Sequence, residues 1–399
     1  MRDALLGAAH LDWDLATAAP PPEVRRLFRR TVPVGIEFGT IGVLDREHRM
    51  HEVTTFRRDV KTDGRHAVVE FGASLDEDLA RRDFTINAMA YDPIHHRLHD
   101  PFGGQVDLGR RVVRAVGEAE ARMREDRLRA LRAIRFAARF GFEIERETWR
   151  AIVASAPFLT RLSPERIKQE MEKTMEQVRA PSSAFLRWRD AGAFTSVVPV
   201  LAEVGNDTLL AIDALPPPGL PTRPMRRSLR FAALFSEVGG KQAERALRSL
   251  RFSNQEVANV SALVDQWSRL APTLTAALAA GELPRDADLR RLAAAVGRLR
   301  VAPFLRLAAA RWSVAGTVPP AAVRGVYRRL LTTAFRDPIE LADLAVDGDD
   351  LRSAGIAAGP ALGRVLRELL HAVIENPQIN QREPLLDVAR QLATPIEST

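Results

Sequence analysis

Cysteine is absent from all 399 residues. That lack removes disulfide partners, thiolate zinc sites and a cysteine nucleophile from consideration. No apolar run approaches the ~20 residues that a helix needs to cross a membrane, so no membrane partner is expected. Behind Met1 stand Arg2 and Asp3 rather than the apolar core of a secretory leader, and the chain reads as cytoplasmic. No internal repeat of fixed period is evident. Acidic residues are outnumbered, giving a formal charge of +7 and a pI near 10.5. A basic excess favours a polyanionic partner without saying which one. The length fits two to three domains.

The most chemically loaded stretch is residues 81–92, RRDFTINAMAYD. Upstream, Ser74 and Glu77 form a capping-box pattern, which predicts a helix running through Leu75, Leu79 and Arg82. Arg81, Arg82, Asp83, Thr85 and Asn87 then set two cations, a carboxylate, a hydroxyl and an amide within two helical turns. Such a cluster serves either a binding site or a solvated face with local ion pairs. Nearer the start, Asp12 and Asp14 are two apart, so on a strand their carboxylates emerge on one face. Two carboxylates so placed suit a pair of Mg²⁺ ions in phosphoryl transfer, although acidic pairs are common on surfaces.

Residues 31–44 are β-branched and punctuated by glycine, residues 45–49 are a polar turn, and residues 50–57 read as the return strand, carrying Glu52. Residues 58–66 are charged and aperiodic, the pattern of a mobile loop. His95, His96 and His99 read as hairpin residues rather than metal ligands. Residues 125–142 carry a helical stripe of Leu128, Leu131, Ile134 and Ala138. Asp126 and Arg129 would project from one side of that helix, and Arg132, Arg135 and Arg139 continue a basic edge. Residues 162–175 read as a helix with Ser163 as N-cap and Pro164 in its first turn. From about Pro181 the pattern is helical, interrupted by a Pro-rich loop at 216–224. A second capping box stands at Ser253/Glu256, and Trp267, Phe304 and Trp312 read as core.

These motifs resemble the class II nucleotidyltransferases, the family of tRNA CCA-adding enzymes and bacterial poly(A) polymerases, over nearly the whole chain. The resemblance implies an α+β fold. A polymerase-β-like nucleotidyltransferase palm is followed by an elongated all-α neck, body and tail. The palm is expected to be N-terminally truncated, because the family carries a Gly-Gly pair and a strand before the Arg2-Asp3 segment; the start at Met1 then falls too late. The expected division is a head at 1–117, a nucleotide-selecting neck at 118–180, a body at 181–290 and a tRNA-binding tail at 291–399.

The resemblance also assigns roles. Asp12 and Asp14 hold Mg²⁺, with Glu52 as a third catalytic acid. Arg2, Arg81, Asp83, Asn87, Asp126, Arg129, Arg132 and Arg135 contact the nucleotide, and Gly355, Gly359 and Gly363 in the tail contact tRNA. Glu165 and Arg166 brace the selecting helix. The loop at 58–66 favours a complete product. The implied activity is untemplated addition of CCA to the 3′ end of tRNA from CTP and ATP. Poly(A) polymerase, a CC-only enzyme and a non-catalytic tRNA-binding protein are the alternatives. The Asp126/Arg129 chemistry suits base choice in outline. Cytosine and adenine both present an amine beside an unprotonated ring nitrogen, whereas uracil and guanine reverse both polarities.

Overall fold

The computed structural model describes residues 1–8, 13–62, 67–217 and 224–393. The chain divides into two compact units, Met1–Ala202 and Glu203–Thr399. Among the described residues every strand lies in the first unit, and the second is helical, so the α+β expectation holds.

The first unit opens with α1 (Arg2–Leu5), β1 (Leu15–Thr17) and α2 (Pro21–Leu27), followed by β2 (Thr31–Gly35), β3 (Thr40–Leu44) and β4 (Met50–Thr55). The four strands form one sheet in the order β1-β4-β3-β2. Strand β4 runs parallel to β1 and antiparallel to β3. Alternation sorts the two faces: Ile41, Val43 and Val53 pack with Val24 of α2 as a small core. Gly42 and Glu52, opposite one another in register, therefore face away from it. The polar turn forms as expected, with the Asp45 carboxylate accepting from the N–H groups of Glu47 and Arg49.

Residues 58–66 depart from expectation. β5 (Arg57–Thr62) pairs antiparallel with β6 (Ala67–Phe71), so the first part of the expected loop is strand. Residues 63–66 lie outside the described residues. Arg58 bonds Glu70 across this ribbon at 2.8 Å. Cross-strand charge pairing there replaces the apolar alternation by which a strand is usually read.

The motif at 81–92 also corrects its expectation. The capping box of Ser74 and Glu77 forms, but α3 (Leu75–Ala80) ends before Arg82. Phe84 is extended and bridges Ala115, and a 3₁₀ turn follows at Thr85–Asn87. Thr85 N–H donates to the Arg114 carbonyl, and Val116 N–H donates to that of Asp83. These long-range backbone bonds override the local helix signal. β7 (Ala90–Asp92) and β8 (Arg97–His99) then make the expected hairpin.

Next come α4 (Gly104–Arg110), β9 (Val112–Val113), α5 (Ala119–Glu125), α6 (Leu128–Phe140), β10 (Glu143–Ile144), α7 (Arg146–Ser155), α8 (Pro164–Gln177) and α9 (Ser182–Asp190). The helix expected across 125–142 is thus two helices with a break at Asp126 and Arg127. Leu128, Leu131 and Ile134 are its buried stripe, and Gly141, at φ 68°, ends it in the left-handed conformation that favours glycine. Pro164 starts α8 after Ser163, whose side chain makes no cap bond.

In the second unit the Ser253 capping box opens the helix Asn254–Ala279. Phe304 and Trp312 are buried, and Trp267 packs beside Trp312 with ring centroids 6.5 Å apart. Most of the Pro-rich loop, residues 218–223, lies outside the described residues.

Candidate functional site

Strand pairing creates the first part of the site. Leu15 of β1 lies opposite Val53 of β4. One step back along that register sets Asp14 beside Glu52, and both are exposed. Asp14 stands just before its strand rather than within it. Asp12 lies outside the described residues. Among the described residues no group of three acidic, histidine or cysteine side chains gathers as a metal cage. The donors still fit a hard cation. Mg²⁺ takes oxygen ligands, keeps several waters, and is commonly held by one or two carboxylates together with substrate phosphates.

The second part is a polar chain running through the turn at 83–87. Asp83 is nearly buried; its Oδ1 accepts from Asn87 Nδ2 and from Phe84 N–H, both at 2.9 Å. Its Oδ2 accepts from Arg132 Nε at 2.8 Å and Nη2 at 2.7 Å. Burial alone would raise the Asp83 pKa, but the Arg132 charge and the donated bonds outweigh it and hold the carboxyl below its ordinary value. Asn87 in turn accepts from Arg2 Nη1 at 2.5 Å. The Arg2 guanidinium lies against Phe136 and Phe140, 4.9 and 4.8 Å from their centroids. Four of the expected nucleotide contacts, Arg2, Asn87, Asp83 and Arg132, are therefore linked in one series. Arg81 lies to one side, bound to Asp78 Oδ1 at 3.0 Å; Arg82 takes the other oxygen at 3.1 Å. Asp78 is buried and was missed in the sequence, although its spacing of three and four residues from the two arginines was the available signal.

The third part is the break between α5 and α6. Asp126 is extended there, so it does not share a helical face with Arg129 as expected. Its Oδ1 accepts from Leu128 N–H at 3.0 Å and its Oδ2 from Arg166 at 2.7 Å. Arg166 thus ties α8 to the break between α5 and α6. Arg129 instead bonds Glu125 at 2.7 Å and reaches the Arg81 carbonyl at 2.9 Å. Arg135, expected among the nucleotide contacts, turns inward. It is 3% exposed and bonds Glu170, 1% exposed, at 2.6 Å. Its position on the buried side of α6 joins it to α8. Arg139 bonds Gln177 at 3.4 Å and lies 3.7 Å from Asp3.

Away from these groups, His95 and His99 bond Asp92 and Asp76, and His96 meets Tyr91. The histidines do not converge. In the second unit Gly359, at φ 123°, precedes Pro360 at the start of the helix Pro360–Glu375, in which Gly363 lies; Gly355, at φ 92°, follows the helix before it. The expected turn into a helix is present.

Residues 1–114 match the poly A polymerase head domain. Residues 141–204 match the "probable RNA and SrmB-binding site of polymerase A", and residues 306–389 match tRNA nucleotidyltransferase domain 2. The CCA-adding enzyme of Geobacillus thermodenitrificans is 39% identical over 281 residues, 66% of this chain and 64% of that protein. That of Geobacillus kaustophilus is 33% identical over 386 residues, 96% of this chain and 89% of that one. The crystal structure of the Bacillus stearothermophilus CCA-adding enzyme in complex with CTP superposes with a TM-score of 0.72 at 32% identity, covering 98% of this chain and 90% of that one. Sequence and fold agree along almost the full length, and the chain belongs to the family of CCA-adding enzymes.

Proposed function

We propose that this protein adds C, C and A, without a template, to the 3′ end of tRNA, using CTP and ATP in the cytoplasm. The observation that carries this reading is the likeness to a CCA-adding enzyme along 96% of the chain. The polar groups gathered in the first unit support it. Asp12, Asp14 and Glu52 are the side chains that would hold Mg²⁺. That ion, when bound, supplies Lewis-acid activation of the attacking 3′-hydroxyl and charge stabilisation at the departing pyrophosphate.

The remaining work falls to the protein's own groups. Arg2 and Arg81 supply positive charge toward the triphosphate. Asp83 fixes Asn87 and Arg132 through its two oxygens. Asp126 accepts from the base's exocyclic amine, and Arg129 donates to its ring nitrogen. Each Asp126 oxygen has a lone pair beyond the bond it already makes. Arg129 uses three of its five N–H donors on Arg122, Glu125 and Arg81, which leaves donors for a base. Uracil or guanine would set like groups against each other, the arrangement that gives strong rejection. Arg135 has no place in this set; it braces α6 against α8. The division into head (1–117), neck (118–180), body (181–290) and tail (291–399) assigns chemistry to the first two and tRNA grip to the last, with Gly355, Gly359 and Gly363 at its turn.

The test incubates tRNA ending at its discriminator base with CTP, ATP or both, in Mg²⁺, and sequences the 3′ ends. Added CCA is the expected product. Two cytidines and no adenosine would make it a CC-only enzyme, and long adenosine tails a poly(A) polymerase. No extension by a folded protein that binds tRNA would leave a non-catalytic binder.

A further inference from the structure

Beside the selecting segment, two guanidinium groups share one exposed aromatic ring. Arg127 follows Asp126 directly, and its Cζ lies 4.7 Å from the Phe158 ring centroid. Arg161 approaches the same ring at 5.2 Å. Phe158 and Arg161 belong to the 3₁₀ segment Ala156–Arg161 that follows α7. The Phe158 side chain is large and apolar, yet 40% exposed.

What marks this cluster is its unbalanced charge. Arg129, Arg132, Arg135 and Arg166 each hold a carboxylate. Among the described residues neither Arg127 nor Arg161 does. Among the described residues the Arg127 side chain makes one hydrogen bond, to Ser155 Oγ at 3.1 Å. Arg124, on α5, adds a third positive charge, and its one acidic partner among the described residues is Glu118, at 3.8 Å. Burial and the charges of Arg161 and Arg124 lower the Arg127 pKa. A ring face steadies each cation, but it leaves the mutual repulsion uncompensated. An anion within reach of both guanidinium groups would offset that repulsion.

We propose that Arg127, Phe158 and Arg161 form a clamp for backbone phosphates of the RNA substrate. Phe158 is the positioning residue that holds both cations against one ring. The identity of the RNA as tRNA rests on the function proposed above. A phosphodiester chain fits better than a free triphosphate, because the partly exposed ring offers an apolar contact to a ribose or base that continues on either side of the phosphate. The segment also falls within the stretch that matches an RNA-binding region.

The experiment compares wild type with R127Q/R161Q and F158L, measuring tRNA affinity without nucleotides across a salt series, and addition kinetics separately. Each lost phosphate contact lowers the slope of log affinity against log salt by about 0.7–0.9. The double variant should therefore lose about 1.4–1.8 from that slope. The affinity ratio of wild type to variant should shrink about sevenfold to twelvefold over a fourfold rise in salt. KM for tRNA should rise, with KM for CTP and kcat at saturating tRNA unchanged. F158L, which keeps both charges, should weaken binding with a smaller loss of slope. If the double variant does not fold, R161Q alone, at an exposed side chain with no hydrogen bond among the described residues, should still lose about 0.7–0.9. A wild-type slope in the folded variants would overturn the clamp. A raised KM for CTP at unchanged tRNA affinity would overturn it too, assigning the arginines to the nucleotide. A protein that binds tRNA but never extends it would refute the enzymatic reading and leave the clamp standing.

Discussion

Removing Glu170 tests whether Arg135 is a strut or a substrate contact. The two side chains are 3% and 1% exposed and 2.6 Å apart, so Glu170→Ala leaves a guanidinium in the interior with Gln177, at 3.1 Å, as its one polar side-chain partner among the described residues. Stripping one member from a buried pair costs about 3–5 kcal/mol, because the other charge stays desolvated. For a unit of this size each kcal/mol shifts the melting point by about 2–4 °C, so a fall of about 6–20 °C is expected for the first unit. Replacing both, as R135M/E170L, removes the stranded charge together with its partner. That variant should recover most of the loss, since apolar pairs of similar volume commonly match or exceed a buried ion pair. Calorimetry of the three proteins, with the two units' transitions resolved, makes the comparison. E170A melting within about 2 °C of wild type, or a double variant as damaged as the single one, would refute the reasoning. KM for CTP and ATP in the double variant provides the second readout: it stays at the wild-type value for a strut and rises for a contact.

Asp14→Ala should reduce addition by roughly a thousandfold or more, about 4 kcal/mol of lost charge stabilisation, while tRNA affinity holds; retained turnover would remove Asp14 from the catalytic group. Asp126→Ala should let uridine and guanosine into the product, read by sequencing extended 3′ ends, and unaltered selectivity would count against its assignment. Asp83 gives a pH prediction. Its folded carboxyl sits below the ordinary value, so its contribution is complete above the ordinary carboxylate range and fades as pH falls through the lowered folded value. Acid unfolding of D83N should therefore show a shallower pH dependence than wild type; superimposable acid limbs would dismiss Asp83 as a source of it.

Much of this was legible in the residues. The Ser74 and Ser253 capping boxes, the β3–β4 hairpin with Glu52 and the helical second half follow from local patterns, and local patterns survive folding when tertiary contacts agree with them. The turn at 83–87 did not follow, because its backbone bonds go to residues 114–116, beyond any local window. Asp126 shows the same limit. Its spacing from Arg129 suggested a shared helical face, yet the actual partner, Arg166, is 40 positions away. Arg135 lay on a run of arginines at helical spacing, which cannot reveal which of them turns inward to meet Glu170. The strand in β5 was hidden by its charges, read as a mobile loop when Arg58 pairs across the ribbon.

Arg129 grips the Arg81 carbonyl, Arg122 grips that of Ala80 at 3.0 Å, and Arg132 holds Asp83. With Arg2 wedged on Phe136 and Phe140, these ties stitch the palm to the two helices that flank Asp126. A hinge across that seam would have to break all of them together. If Asp126 and Arg129 choose the base as proposed, the change from one base to the next is predicted to come from rotating side chains and the lengthening RNA end, while the scaffold around them keeps still.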